Sequence, residues 1–132
     1  MIVVDASAVC AIVFGEADRQ TYVDVLRRDT EGAVISPVNR WEATVTIARR
    51  RVSQDAEQTL RDLFRRTGIS VAEIGAVEAD LAFGAWRNFG KGRHPARLNL
   101  GDCFAYALAM SRGLPLLYKG DDFAKTDVRS AL

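Results

Sequence analysis

Five carboxylates stand where this sequence changes from one local pattern to the next: Asp5, Glu42, Asp102 and the adjacent Asp121 and Asp122. Asp5 ends the β-branched run MIVV. Glu42 lies within VNRWEATVTIARRRV. Asp102 is the one charge in LNLGDCFAYALA, and the pair in KGDDF follows PLLY. A carboxylate can cap a helix, move a proton or hold a metal ion. Several gathered within a few ångströms repel one another, and some would stay protonated near neutral pH unless a cation sat among them. A hard divalent ion, Mg²⁺ or Mn²⁺, suits such an all-oxygen set. It can activate water and stabilise charge on a phosphoryl group. No Ser–His or Cys–His constellation offers a competing nucleophile. The chain has one histidine, His94, in a basic loop, where it reads as a surface residue or a phosphate contact. Its two cysteines, Cys10 and Cys103, lie in apolar segments and read as reduced core thiols. Without a Cys/His cluster there is no basis for a structural zinc site. Metal-assisted hydrolysis is the reaction class these residue types support.

Whether the acids meet depends on the elements that carry them. Ile2–Val4, Ala33–Ile35, Ile69–Ile74 and Pro115–Tyr118 read as short buried strands. Helical patterns separate them. One runs from Asp5 and Ser7 to Phe14 and stops at Gly15. EADRQTYVDVLRR sets Tyr22, Val25 and Leu26 on one face. Ser36 and Pro37 start a third helix as cap and first-turn proline. Its apolar stripe is Val38, Trp41, Val45, Ala48 and Val52, with Glu42 at the edge. Ser53 can cap a fourth, carrying Ala56, Leu60, Leu63 and Phe64 and ended by Gly68. Two more follow, from about Ala76 to Phe89 and from Leu100 to Arg112. Trp41 and Trp86 fall at core spacing.

Strands alternating with helices predict an α/β fold: one domain over residues 1–132, its parallel sheet covered on both faces. Crossover helices run antiparallel to such strands, so helix N-termini gather at the sheet's carboxyl edge. That topology brings all five acids to one rim, where open α/β sheets bind ligands. Singly, each has a plainer reading. Asp5 could be a cap, Asp102 half of a capping box with Asn99, Glu42 a surface side chain, and Asp121 and Asp122 turn residues. Those readings leave the convergence unexplained.

A net charge of +1, from 18 Lys and Arg against 17 Asp and Glu, shows no overall basic bias, so any nucleic-acid contact must be local. One such segment exists. No acid occurs between Asp80 and Asp102, whereas Arg87, Lys91, Arg93, His94 and Arg97 lie in that interval. It runs into the helix of Asp102 and reads as phosphate steering or as a solvated loop. Arg49–Arg51 lie further along their helix, away from the rim, and read as solvated surface or a second RNA contact. The N-terminus lacks the pattern of a signal peptide and no run reaches membrane-spanning length, so a cytoplasmic protein is expected.

MIVVDASAV, SPVNRWEA, LNLGDCFAYALA and LLYKGDDFAKTDV occur in this order across nearly the whole chain. Together they resemble the PIN-domain ribonuclease toxins of bacterial VapBC toxin–antitoxin pairs. The resemblance implies a PIN-like three-layer α/β/α sandwich on a mainly parallel sheet. It implies a Mg²⁺-dependent (or Mn²⁺-dependent) endoribonuclease that cuts tRNA or rRNA, leaves 5′-phosphate and 3′-hydroxyl ends, and inhibits translation. Asp5, Glu42 and Asp102 would be the core acids, with Asp5 and Asp102 as direct metal ligands. The fourth acid would be Asp121, nearer the strand end, with Asp122 as the alternative. Ser7 matches a small hydroxyl residue that could hold a metal-bound water, or it is a helix cap. Lys91, Arg93 and Arg97 would contact RNA phosphates. Implied partners are a cognate antitoxin whose C-terminal segment blocks the acidic groove and a second copy of the chain, a homodimer within a larger assembly. The helices between Ala17 and Phe64 carry apolar surface suited to that contact. Two other classes compete. A haloacid dehalogenase-type phosphatase expects a second Asp where Ser7 stands. A non-catalytic RNA- or partner-binding module has no use for the full acidic set.

Overall fold

The computed structural model describes residues 1–132. Four short strands, β1 (Ile2–Val4), β2 (Ala33–Ile35), β3 (Ile69–Val71) and β4 (Leu116–Leu117), form one sheet in the order β3-β2-β1-β4, every pair parallel. Parallel neighbours need crossovers. Six helices supply them: α1 (Ala6–Val13), α2 (Arg19–Arg28), α3 (Pro37–Arg50), α4 (Ala56–Thr67), α5 (Ala76–Phe89) and α6 (Leu100–Arg112). A 3₁₀ turn, Phe123–Lys125, follows β4.

The strands are apolar on both sides because both faces of the sheet are covered. Ile2 and Val4 of β1 join Ile35 and Leu117 in one core with Ile12, Val25, Ile47 and Leu60 from α1 to α4. Val3 points the other way and joins Val34 and Leu116 in a second core under Ala82 and Ala85 of α5 and Leu108 of α6. The result is the expected three-layer α/β/α sandwich. The outer edge of β4 is not left open. Leu116 N–H donates to Arg129 O (2.8 Å) and Ala131 N–H donates to Leu116 O (2.9 Å), so the C-terminal residues cover it.

Several expectations shift. The fourth strand is Leu116–Leu117 rather than Pro115–Tyr118, and Asp55, not Ser53, caps α4. The third strand ends at Val71 rather than Ile74, although Ala72 N–H still donates to Ile35 O (2.9 Å). The second helix begins at Arg19, after the turn that holds Asp18. The buried stripe of α3 lies on the opposite side of the helix from the expected one, roughly 180° around at about 100° per residue. Its buried row is Asn39, Ala43 and Ile47, whereas Trp41 is 67% exposed. Trp86 is 42% exposed, so neither tryptophan is a core residue. The row that is buried contains a polar side chain, and apolar periodicity selects against it.

Candidate active site

The order β3-β2-β1-β4 puts the point where the chain reverses direction across the sheet beside β1. Asp5 follows β1 with no intervening loop and caps α1. Its Oδ2 accepts from Ser7 N–H (2.9 Å) and from the Ser7 hydroxyl (2.5 Å). Asp5, not Ser7, is therefore the helix cap. The Ser7 hydroxyl also accepts from Lys119 N–H (3.0 Å), which ties the start of α1 to the end of β4. Asn99 caps α6, and the expected box forms. Asn99 Oδ1 accepts from Asp102 N–H (2.9 Å), and Asp102 Oδ2 accepts from Asn99 N–H (3.0 Å). Capping and site placement are thus one arrangement: the box fixes one oxygen of Asp102 and leaves the other without a bond inside the chain.

Glu42 lies in the second turn of α3 and is set by a neighbour that the sequence patterns did not single out. Asn39 is fully buried. Its amide nitrogen donates to Gly101 O (2.9 Å) and shares its other hydrogen between Asp5 Oδ1 (3.3 Å) and Glu42 Oε2 (3.4 Å). Its oxygen accepts from the Ser36 hydroxyl. One amide therefore joins α1, α3 and α6 beneath the acids. The available signal was Asn three residues after a Ser-Pro helix start, a polar residue where the first buried turn should be.

Gly101 is the seat of that joint. A Cβ built there would stand 2.4 Å from Glu42 Oε2 and 2.7 Å from Oε1. The carboxylate is the free end of a flexible side chain, so it would move rather than the helices. Gly101→Ala is expected to keep the fold and its thermal midpoint within a few degrees while lowering nuclease turnover by about tenfold or more. Comparing melting curves with cleavage rates checks this; unchanged turnover would mean that the position of Glu42 is immaterial.

Asp5, Glu42 and Asp102 line one cleft of about 310 Å³, with Ser7, Arg50, Asn99 and Lys119 around it. Burial raises the Asp5 carboxyl above its ordinary value, against the opposing hydrogen bonds from Ser7. Burial, then the charge of Asp5, raises Glu42. Asp102 is pushed up to about 7, chiefly by burial and further by the like charges of Asp5, Glu42 and Asp122. None of the three acids forms an ion pair. Lys119, which lines the cleft, is committed to Glu16 and Asp18. Arg50 also lines the cleft but pairs with none of the three acids, so their oxygens are left without a cationic partner and match what a hard divalent ion takes. They are not drawn into a ready cage of three ligands. Each is held instead by its own bonds to Ser7, Asn39 or Asn99. Burial pushes both cysteine thiols up to about 11, and they are unlinked, which removes them as nucleophiles.

The remaining candidates separate. Asp121 and Asp122 follow β4 but do not line the cleft; of the two, it is the charge of Asp122 that acts on Asp102. Lys91, Arg93 and Arg97 are exposed on the loop between α5 and α6, outside the acidic cleft. Arg93 lies 4.7 Å over the Trp86 ring. His94 is half-buried rather than free at the surface: its Nδ1 accepts from Ala96 N–H (3.0 Å) and its ring packs edge-on against Phe89. Arg50, expected to lie away from the rim, lines the acidic cleft and stacks 4.7 Å over Phe14. Its distance along α3 is legible in the sequence, whereas the length of the cleft is not.

Comparison with known proteins agrees with this geometry. A family model for the PIN domain matches residues 2–129. Ribonuclease VapC42 of Mycobacterium tuberculosis is 40% identical over 131 residues, 98% of this chain and 98% of its own. Ribonuclease VapC of Mycolicibacterium smegmatis is 37% identical over 127 residues, 96% and 97% of the two chains. The crystal structure of Mycobacterium tuberculosis VapC20, a sarcin–ricin loop cleaving toxin, superposes with a TM-score of 0.72 at 20% identity, covering 97% of this chain and 96% of that one. The match to the PIN-domain model over nearly the whole chain, with relatives of this identity and coverage, shows that the chain belongs to the PIN-domain family. Its whole-length relatives are ribonucleases named VapC, which makes it a nuclease of that group.

Proposed function

We propose that the chain is the toxic component of a type II toxin–antitoxin pair, a Mg²⁺-dependent endoribonuclease (Mn²⁺ substituting) that acts in the cytoplasm on tRNA or rRNA and so inhibits translation. The observation that carries this reading is the set of carboxylates around one cleft, Asp5 buried and Glu42 and Asp102 half-buried, none of them in an ion pair. Relatives named ribonuclease support the choice of RNA. No helix is long and apolar enough to cross a membrane.

Asp5 and Asp102 would hold the ion, which when bound lowers the pKa of water and offsets phosphate charge. Glu42 faces the same cleft and can orient water by accepting its hydrogen bond, while Asn39 keeps that carboxylate in place. Ser7 is occupied on both sides by Asp5 and Lys119, and serves by fixing the Asp5 oxygen. The fourth acid is Asp121 or Asp122; the effect of Asp122 on Asp102 favours Asp122. Attack in line on an RNA phosphodiester would leave 5′-phosphate and 3′-hydroxyl ends. The antitoxin would silence the site by bringing a basic side chain to the same carboxylates, giving them the ion pair they lack. A homodimer is the proposed assembly, within a larger toxin–antitoxin complex.

Titration of the purified chain with Mg²⁺ in an RNA cleavage assay tests the reading. Endonucleolytic cuts that appear with the ion and cease with EDTA are expected. Phosphomonoesterase activity, or binding without turnover, would overturn it. Lys91, Arg93 and Arg97 are assigned to phosphates along the approach to the cleft. Neutralising Arg93 and Arg97 to Gln is expected to make the logarithmic dependence of cleavage on salt shallower by roughly 1.4, about 0.7 per lost single-strand contact. An unaltered slope across a salt series would remove the steering role.

A further inference from the structure

We propose that the apolar cleft between α5 and α6 is a nucleobase subsite, which takes one unstacked base of the RNA next to the phosphate held at the acidic rim. The inference rests on the ribonuclease reading and extends it to how substrate is chosen. The cleft is about 420 Å³, walled by Phe83 and Trp86 of α5, Leu98 of the connecting loop, and Leu100 and Phe104 of α6. Phe83 is 58% and Leu100 69% exposed. The Phe83 and Trp86 rings stack 5.9 Å apart at 29°, presenting a wide aromatic surface to solvent.

Two observations decide the occupant. The rim is cationic: Arg93 lies over Trp86 at 4.7 Å, Arg87 over Phe83 at 5.7 Å, and Lys91 lines the wall. An apolar peptide would need no such rim, whereas a base flanked by phosphates matches both parts at once. The cleft is also continuous with the acidic site, because Asn99 lines both. Asn99 spends its side-chain oxygen on the Asp102 N–H, and its amide nitrogen makes no bond within the chain. That nitrogen can donate to a ring nitrogen or carbonyl on the edge of a bound base. Base choice would thereby be set by the residue that also orients Asp102.

The test uses Trp86 as its own reporter. The chain has two tryptophans, so the Trp41→Phe variant leaves Trp86 alone. Titrating that variant in EDTA with a mixed-sequence RNA hexamer is expected to quench its emission saturably, and a hexamer of abasic ribose should not. In cleavage assays, Trp86→Ala should raise KM about tenfold with kcat within about twofold, and Trp86→Phe should recover most of the loss. Unchanged KM together with no quenching, in a chain that still cleaves RNA with Mg²⁺, would overturn the subsite and leave the ribonuclease reading intact. Failure of the unaltered chain to cleave any RNA would overturn that reading instead. Conversion of a dimer into a monomer by Trp86→Ala, seen by light scattering, would assign this face to a second copy and overturn the subsite.

Discussion

Asp102→Asn is expected to lower RNA cleavage by about a thousandfold or more and leave the fold intact. The substitution removes a charge and little else. An asparagine oxygen can still accept from the Asn99 N–H, so the box that starts α6 survives. The cleft loses one of its two assigned metal-holding carboxylates, and transition-state stabilisation by a held ion contributes several kcal/mol. Asp5→Ala is a less clean experiment, since it also strips the cap from α1 at about 1 kcal/mol. Single-turnover cleavage rates and circular dichroism of the Asp102 variant measure the two halves separately. Full activity in the purified variant would defeat the assignment of this residue.

A second large effect follows from the same burial. In the folded chain the Asp102 carboxyl titrates at about 7 rather than its ordinary 3.8. Between those values the folded state keeps a proton that the unfolded chain has already released. The resulting stability is fully present below about pH 4, declines as pH rises, and is gone above about pH 7. Asp5 and Glu42 are shifted in the same direction and add to the decline. The interval for Asp102 alone corresponds to on the order of 4 kcal/mol, a melting shift of roughly 15 °C for a chain this size. A divalent ion should reverse the trend: in EDTA the melting temperature falls from pH 5 to pH 8, and Mg²⁺ or Mn²⁺ restores it at pH 8 while doing little at pH 5, where protons occupy the carboxylates. Asp102→Asn should flatten the EDTA curve. A metal-free protein that grows more stable over this range would show that the acids are not held against one another as described.

The fold and three of the acids could be read from the sequence because each rests on a local rule. β-branched runs followed directly by capped helices fix the strands, and the parallel arrangement then sends Asp5, Glu42 and Asp102 to one edge. What could not be read is where a rule was broken for the sake of the site. Asn39 occupies a core position that periodicity reserves for an apolar residue, so the stripe of α3 was drawn through Trp41 instead. Gly101 looks like an ordinary helix glycine until Glu42 is seen against it. The fourth acid stays ambiguous because Asp121 and Asp122 are adjacent in one turn, and neither lines the cleft. Arg50 is exposed as expected but reaches the cleft, and His94 packs into its loop; such side-chain reach leaves no periodic trace.

The amide of Asn39 has a bearing on how the protein is made. Its contacts reach 34 residues back to Asp5 and 62 residues forward to Gly101. Nothing synthesised before α6 can complete the acidic set. An emerging chain therefore carries no finished acidic site until its last quarter has docked.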